Sequence, residues 1–158
     1  MRRHLAIAML LGTAAALFSN AMPAYAHADY KSSTPAAGEI LAASPPEVSI
    51  TFTTDIQKIT GTYGIEVTDA TGGDASSGAA VLDAADRTLL TVGLRPSLPP
   101  GRYVVDWTNS SDADGDPNEG AFSFYVVTQP TTADLAADAE LVGQEEPGGT
   151  ATTQQGGA

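Results

Sequence analysis

The 158-residue chain contains no cysteine, which excludes disulfides, thiolate metal sites and a cysteine nucleophile. Basic residues are scarce as well: 7 Lys and Arg stand against 19 Asp and Glu, for a formal charge of -12. Because the chain has too few cations to form a basic face, we expect no nucleic-acid partner. Aromatic residues are only 6% of the chain, whereas glycines number 16 and prolines 10. This composition favours one small, turn-rich β domain over a helical bundle.

The first 26 residues have the features of a secretory signal peptide. Arg2 and Arg3 give a basic start, residues 5–18 are apolar, and residues 24–26 (Ala-Tyr-Ala) have the form of a cleavage site. The apolar run is shorter than a membrane span requires. We therefore predict export to the periplasm, the cell envelope or the extracellular space. Cleavage after residue 26 would make His27 the first residue of the mature chain.

Short segments of alternating apolar and polar residues, separated by Gly, Pro and Asp turns, follow the predicted cleavage site. They lie at residues 48–52, 64–68, 79–82, 88–92, 103–107 and 121–127. The alternation predicts half-buried strands, with Tyr103, Val105 and Trp107 on one face and with Phe122 and Phe124 inside. About seven such strands without helical periodicity predict an all-β Greek-key sandwich over residues 27–128.

The composition changes after residue 128. Residues 129–158 are rich in Pro, Thr, Gln, Gly and acids and carry few bulky apolar side chains. Such a segment buries too little surface to offset its ordering entropy, so we predict a disordered tail in which residues 133–141 form at most a fraying helical turn. We expect no membrane span in the mature chain.

The predicted amino-terminal histidine is the first candidate site. Of the two histidines, His4 and His27, only His27 follows the cleavage site. A free α-amine and an imidazole on one residue can chelate a metal through two nitrogens, which suits Cu(II). The alternative is that signal cleavage leaves a histidine there by chance.

An acidic stretch at residues 112–120 is the second candidate site. Asp112, Asp114, Asp116 and Glu119 alternate with other residues around Gly115, which permits a sharp turn. Their carboxylates could converge on a cation, including Ca²⁺, which takes six to eight oxygen ligands. The alternative is a solvated turn, because Asp, Asn, Gly and Pro are common turn formers.

Several short motifs in this order resemble the CopC family of exported bacterial copper-binding proteins, which includes YobA-like domains. The motifs are His27-Ala-Asp-Tyr and residues 32–38, 45–52, 98–107, 110–115 and 120–124. The resemblance spans about 27–127, and it implies an Ig-like or cupredoxin-like sandwich of seven strands.

The resemblance also implies a Cu(II) site made by the amino-terminal histidine and an Asp-Gly-His element in the loop before the last strand. Here that element is Asp114-Gly115-Asp116, so Asp116 stands where the family has a second histidine. A carboxylate is a harder donor than imidazole and suits Ca²⁺, Mg²⁺ or Mn²⁺ better. The expected site is His27, Asp114 and Asp116 with weakened Cu(II) affinity, and Asp29 is a weaker candidate. A methionine-based Cu(I) site is predicted to be absent, since all three methionines lie in residues 1–26.

These features predict an exported, monomeric Cu(II) buffer or chaperone of copper homeostasis or resistance that is not an enzyme. A separate membrane copper transporter is its candidate partner. A copper monooxygenase is disfavoured because such enzymes use a brace of two histidines. The remaining alternatives are a non-catalytic Ig-like interaction or structural domain with a degenerate copper site, and an acidic-loop Ca²⁺ binder.

Overall fold

The computed structural model describes residues 27–142, so the predicted signal peptide and residues 143–158 lie outside the described part of the chain. Eight strands and one helix follow each other along it. They are β1 (Tyr30–Thr34), β2 (Ile40–Leu41), β3 (Glu47–Phe52), β4 (Gly64–Asp69), β5 (Val81–Leu82), β6 (Leu89–Gly93), β7 (Gly101–Ser110), β8 (Pro117–Val126) and α1 (Thr132–Val142).

The strands form two four-stranded sheets, with the orders β1-β3-β6-β5 and β2-β8-β7-β4. This confirms the predicted β-sandwich, with eight strands rather than about seven. The longest pairing joins β7 and β8 as an antiparallel hairpin whose register runs from Gly101 opposite Val126 to Ser110 opposite Pro117. The acidic segment 111–116 is therefore the tip of this hairpin.

Alternation along the strands builds the core between the sheets. In β7 the side chains of Tyr103, Val105 and Trp107 are buried, as predicted. Phe122 and Phe124 of the neighbouring strand β8 are buried beside them in the same sheet, also as predicted. Trp107 packs edge-on against Phe52 of the other sheet, with ring centroids 5.3 Å apart. The buried face of β7 extends past Trp107, because the next inward-facing residue, Asn109, is buried too.

Two strands were not expected from the sequence. β1 pairs with β3 alone, at the edge of its sheet, and its pattern Tyr-Lys-Ser-Ser-Thr has no apolar alternation to reveal it. β2 has two residues, Ile40 and Leu41, which pair in parallel with Tyr125 and Val126 at the end of β8. Backbone pairing rather than side-chain burial defines both strands, so a hydrophobicity pattern cannot detect them.

The predicted disordered tail contains a docked helix, α1, in its described part. Thr131 caps the helix: its hydroxyl accepts from the Asp134 amide at 3.2 Å, and Asp134 Oδ2 accepts from the Thr131 amide at 2.8 Å. On the sheet side, Asp138 accepts hydrogen bonds from Arg102 Nη2 at 2.7 Å and from the Tyr125 hydroxyl at 2.5 Å. The sequence predicted at most a fraying helical turn at residues 133–141, because composition does not reveal the polar contacts that dock the full helix.

In residues 27–142, no helix has the length and apolar character needed to cross a membrane.

Candidate metal centre

The segment after the predicted cleavage site is fixed to both sheets. Ala28 is fully buried, and its carbonyl accepts a hydrogen bond from Asn109 Nδ2 at 2.9 Å. The Asp29 amide donates to Thr53 Oγ1 at 3.0 Å, and the Thr53 amide donates back to the Asp29 carbonyl at 2.8 Å. These contacts bring His27 to the tip of the β7–β8 hairpin.

The hairpin tip is a compact turn closed by its own hydrogen bonds. The Ser111 amide donates to the Asp116 carbonyl at 3.0 Å, and the Gly115 amide donates to the Ser111 carbonyl at 2.9 Å. Gly115 has a φ of 79°, a left-handed conformation that glycine adopts without strain. The Asp116 amide donates to Asp114 Oδ1 at 3.1 Å, so the two carboxylate-bearing residues are held in one turn.

His27, Asp114 and Asp116 come together at this tip. Each offers one ligand atom, an imidazole nitrogen or a carboxylate oxygen, and these atoms all lie within 4.8 Å of one another. His27 is half-buried, while both aspartates are exposed. The hydrogen bond from the Asp116 amide, helped by Ser111 and by the nearby His27, lowers the pKa of Asp114.

The other acids of the acidic stretch have different partners or positions. Arg87 Nη2 lies 2.8 Å from Asp112 Oδ2, and this hydrogen bond lowers the pKa of Asp112. Glu119 lies within β8, opposite Thr108. Asp29, the weaker candidate, accepts from Asn118 Nδ2 at 3.1 Å. Among residues 27–142, His27, Asp114 and Asp116 are therefore the single group with metal-ligand spacing.

The donor set fits Cu(II) better than Ca²⁺. One imidazole and two carboxylates are present, and cleavage after residue 26 would add the His27 α-amine, giving two nitrogens and two oxygens. Cu(II) favours such tetragonal nitrogen and oxygen sets. Ca²⁺ takes six to eight oxygens, and the cluster offers only two carboxylates.

The side chains that hold the candidate ligands in position were not predicted from the sequence. They are Asn109, Thr53 and Asn118, which hold residues 27–29, and Arg87, which holds the hairpin tip. A signal for Asn109 was present in the sequence. It continues the alternation of Tyr103, Val105 and Trp107 and puts an amide where an apolar residue is expected.

The fold and the site define a class of protein: a two-sheet β-sandwich with a histidine-carboxylate cluster at one end. The family model described as "CopC domain" matches residues 30–127, from the start of β1 to the residue after β8. The chain therefore belongs to the CopC family. Helix α1 lies outside the matched region.

Relatives of known name agree with this assignment. The chain is similar to protein YobA of Escherichia coli K12, with 31% identity over 102 residues, which are 65% of this chain and 80% of YobA. It is also similar to the crystal structure of CopC from Methylosinus trichosporium OB3b, at 28% identity and a TM-score of 0.57, over 66% of this chain and 98% of that one. The methionine-rich copper resistance protein PcoC of E. coli matches at 27% identity and a TM-score of 0.55, over 64% of this chain and 99% of that one.

Proposed function

We propose that this protein is an exported copper carrier that binds Cu(II) as cargo at His27, Asp114 and Asp116 and catalyses no reaction on it. The observation that supports the proposal is the convergence of their ligand atoms within 4.8 Å. Membership of the CopC family and likeness to a copper resistance protein point to the same metal. A buffer or chaperone needs only coordination, and the site offers coordination.

Signal cleavage is part of the site in this proposal. In the full chain the backbone nitrogen of His27 forms a peptide bond with residue 26, and an amide nitrogen is a poor metal ligand. Cleavage turns it into an amine and completes a two-nitrogen chelate. Export and metal binding are thereby coupled, because the precursor lacks a ligand that the processed protein has. Delivery to a membrane copper transporter would then take place outside the cytoplasm.

The carboxylate at Asp116 sets the expected strength of the site. Replacing a neutral imidazole by a carboxylate removes one of the donors that Cu(II) prefers. We expect weaker Cu(II) binding than a site with two histidines would give, which suits a buffer that releases its metal. The carboxylate of Asp116 is also the feature that favours the two alternative functions. One is a site for a hard cation such as Ca²⁺, and the other is a domain whose copper site is degenerate.

Copper titration of exported protein tests the proposal. Mass spectrometry first verifies that the purified chain begins at His27. Cu(II) is then added while the d–d absorption band and the fluorescence of Trp107, the single tryptophan, are followed, with a competing chelator to set the affinity. A nitrogen-ligated Cu(II) spectrum in the wild-type protein is the expected result.

The variants of this titration separate site residues from their neighbours. His27→Ala should abolish the band, and Asp114→Asn should weaken binding by about tenfold. Glu119→Gln is the matched control, since it neutralises an acid of the same stretch outside the cluster and should change nothing. A form with an extra Met before His27 displaces the amine but keeps the imidazole, so it should bind Cu(II) more weakly than the wild-type protein without losing the site altogether.

Two results would count against the copper proposal. Ca²⁺ binding without Cu(II) binding would favour the acidic-loop reading. Binding of neither ion would favour a structural or interaction domain.

A further inference from the structure

A polar side chain occupies a core position near the candidate metal centre. Asn109 is 1% exposed and lies on the inward face of β7, in line with Tyr103, Val105 and Trp107. Burying an amide is unfavourable unless hydrogen bonds replace its contacts with water. An apolar residue there would extend the core without that penalty, so the amide calls for a specific explanation.

The hydrogen bond that Asn109 makes leads to the amino-terminal segment. Its Nδ2 donates to the Ala28 carbonyl at 2.9 Å across 81 residues of sequence, and Ala28 directly follows the candidate ligand His27. Asn109 Oδ1 is buried and has no hydrogen-bond partner among residues 27–142. One of the two polar atoms of the Asn109 side chain therefore lacks a hydrogen bond, which costs stability. The hydrogen bond that Nδ2 does form fixes Ala28, the residue next to the candidate ligand His27.

A second contact holds the same segment from the other sheet. Thr53, directly after β3, donates through Oγ1 to the His27 carbonyl at 3.3 Å and accepts at Oγ1 from the Asp29 amide at 3.0 Å. Asn109 lies in the sheet that contains β7, and Thr53 follows a strand of the other sheet. Segment 27–29 is therefore held by hydrogen bonds from both sheets. Asn118 Nδ2 adds a longer contact to the Ala28 carbonyl at 3.4 Å.

We propose that Asn109 is a positioning residue that, with Thr53, fixes the mature amino terminus against the hairpin tip so that the His27 nitrogens meet the carboxylates of Asp114 and Asp116. This inference rests on the proposed copper function. A chain end is ordinarily mobile, and ordering it at the moment of binding would lower the affinity. Gripping residues 27–29 in advance removes that penalty from the binding step.

A positioning role and a purely structural role predict different results for Asn109→Val. The substitution removes an unpartnered acceptor, but it also leaves the Ala28 carbonyl with only the 3.4 Å contact to Asn118. Because these two effects oppose each other, the midpoint of urea unfolding should change little. Copper affinity should fall about tenfold, and the Cu(II) EPR spectrum should change from one species to a mixture. A structural role predicts the reverse, with lower stability and an unchanged spectrum.

Amide hydrogen exchange in the metal-free protein gives a readout that does not depend on copper. The Asp29 amide donates to Thr53 Oγ1, and the Thr53 amide donates to the Asp29 carbonyl. In Asn109→Val both amides should exchange faster with solvent, while the amides of β4 should not. Ser123→Ala is the matched control: Ser123 is a buried polar residue of β8 that is 3% exposed and lies toward the opposite end of the strand. It should leave the exchange of the Asp29 and Thr53 amides, the copper affinity and the EPR spectrum unchanged.

Thr53→Val is the second variant, because Thr53 is exposed and its replacement spares the core. It should loosen the same segment, and Thr53→Ser, which keeps the hydroxyl, should restore wild-type exchange and spectrum. Unchanged exchange of the Asp29 and Thr53 amides in both Asn109→Val and Thr53→Val would overturn the inference. If wild-type protein binds no copper, the proposed function fails, and faster exchange in these variants still supports the grip on residues 27–29.

Discussion

Arg87 forms an ion pair with Asp112, with its Nη2 2.8 Å from Asp112 Oδ2, at the start of the hairpin tip that carries the candidate ligands. The same nitrogen lies 2.6 Å from Asp55 Oδ2, and the Asp112 amide donates to the Asp55 carbonyl at 3.0 Å. One guanidinium thus joins the segment after β3 to the β7–β8 hairpin. It also pairs with Asp112, whereas the carboxylates of Asp114 and Asp116 lie beside His27.

A double-mutant cycle should detect the Arg87–Asp112 pair. Arg87→Gln and Asp112→Asn are compared with the double variant by urea unfolding, and a small favourable coupling is expected because both side chains are partly solvated. The coupling should shrink in about 1 M salt, which screens exposed charges. Strictly additive effects would show that the contact contributes nothing to stability.

Much of the sandwich could be predicted from sequence because its strands are half-buried. The segments at 48–52 and 64–68 were recovered as β3 and β4 to within one residue at their ends. β7 and β8 turned out longer than predicted, because the apolar alternation stops before the backbone pairing does, at Ser110 and Pro117. Edge strand β1 and helix α1 are held by backbone pairing and polar side-chain contacts. Neither kind of contact produces the periodic pattern of apolar residues from which strands and helices are predicted.

The candidate ligands could be named from the sequence, but their supports could not. His27 and Asp114 carry chemistry that a motif can reveal, whereas Arg87 and Asn109 act through residues far away in the chain. Which carboxylate pairs with an arginine and which lies beside the histidine depends on the register of the hairpin. The composition of the stretch 112–120 does not distinguish its four acids. The resemblance to the CopC family singled out Asp114 and Asp116, and the fold shows that Asp112 pairs with Arg87 and that Glu119 lies within β8.

Gly120→Ala should destabilise the protein through Trp107. A Cβ at position 120 would lie 2.6 Å from Cζ2 of the buried indole ring, so the ring or the strand must move. Overpacking of this kind costs about 1–3 kcal/mol. Gly101→Ala is the control in the neighbouring strand, since its added Cβ meets nothing within 4 Å. The midpoints of urea unfolding and the tryptophan emission maximum measure the difference, and equal midpoints for the two variants would contradict the steric argument.

Asp138→Asn should release helix α1 from the sheet while leaving the sandwich folded. Losing the charged partner of Arg102 and Tyr125 should destabilise the docked helix by about 1.5–3 kcal/mol, the range for hydrogen bonds to charged groups. Limited proteolysis within residues 132–142 should accelerate. Glu140→Gln, on an exposed position of the same helix, is the matched control. Unchanged cleavage in Asp138→Asn would show that other contacts hold the helix.

Acid should release the same helix in the wild-type protein. Partial burial opposes the charge of Asp138, but the hydrogen bonds from Tyr125, Ser123 and Arg102 outweigh it and lower the pKa of Asp138. A lowered folded-state pKa stabilises docking above the unfolded value of about 3.9, and this stabilisation is lost as the pH falls through the folded value. Helix cleavage by an acid-active protease should rise below about pH 4. In Asp138→Asn the cleavage should be fast at all pH values.

Asp106→Asn should have the opposite pH dependence. Asp106 is exposed on β7, but the surrounding sheet removes part of the water from its carboxylate. This desolvation, and then the cross-strand neighbour Glu66, raise the pKa of Asp106. A raised folded-state pKa means that the ionised carboxylate costs stability at neutral pH, and that the cost disappears below the unfolded value of about 3.9. The variant should therefore have a higher Tm than wild type at pH 7 and the same Tm near pH 3.5. A variant less stable at pH 7 would contradict this assignment.

Asp116→His should strengthen copper binding, because it places a second imidazole where the turn already presents a ligand atom. Its ligand atom would lie beside those of His27 and Asp114, which are within 4.8 Å of the Asp116 carboxylate. Imidazole is a better donor to Cu(II) than a carboxylate, and a gain of 1.4 kcal/mol corresponds to a tenfold increase in affinity. Competition titration with the processed protein should show a gain of about tenfold or more, with an additional nitrogen in the EPR hyperfine pattern.

Position matters in this substitution as much as residue type. Glu119→His adds an imidazole to the same acidic stretch but inside β8, away from the cluster, and should leave the copper affinity of the wild-type protein unchanged. The gain in Asp116→His should fall away below about pH 6.5, since a protonated imidazole cannot bind metal. If both histidine variants gained equally, copper would be binding to any exposed imidazole, and the geometry of the hairpin tip would have no part in selecting it.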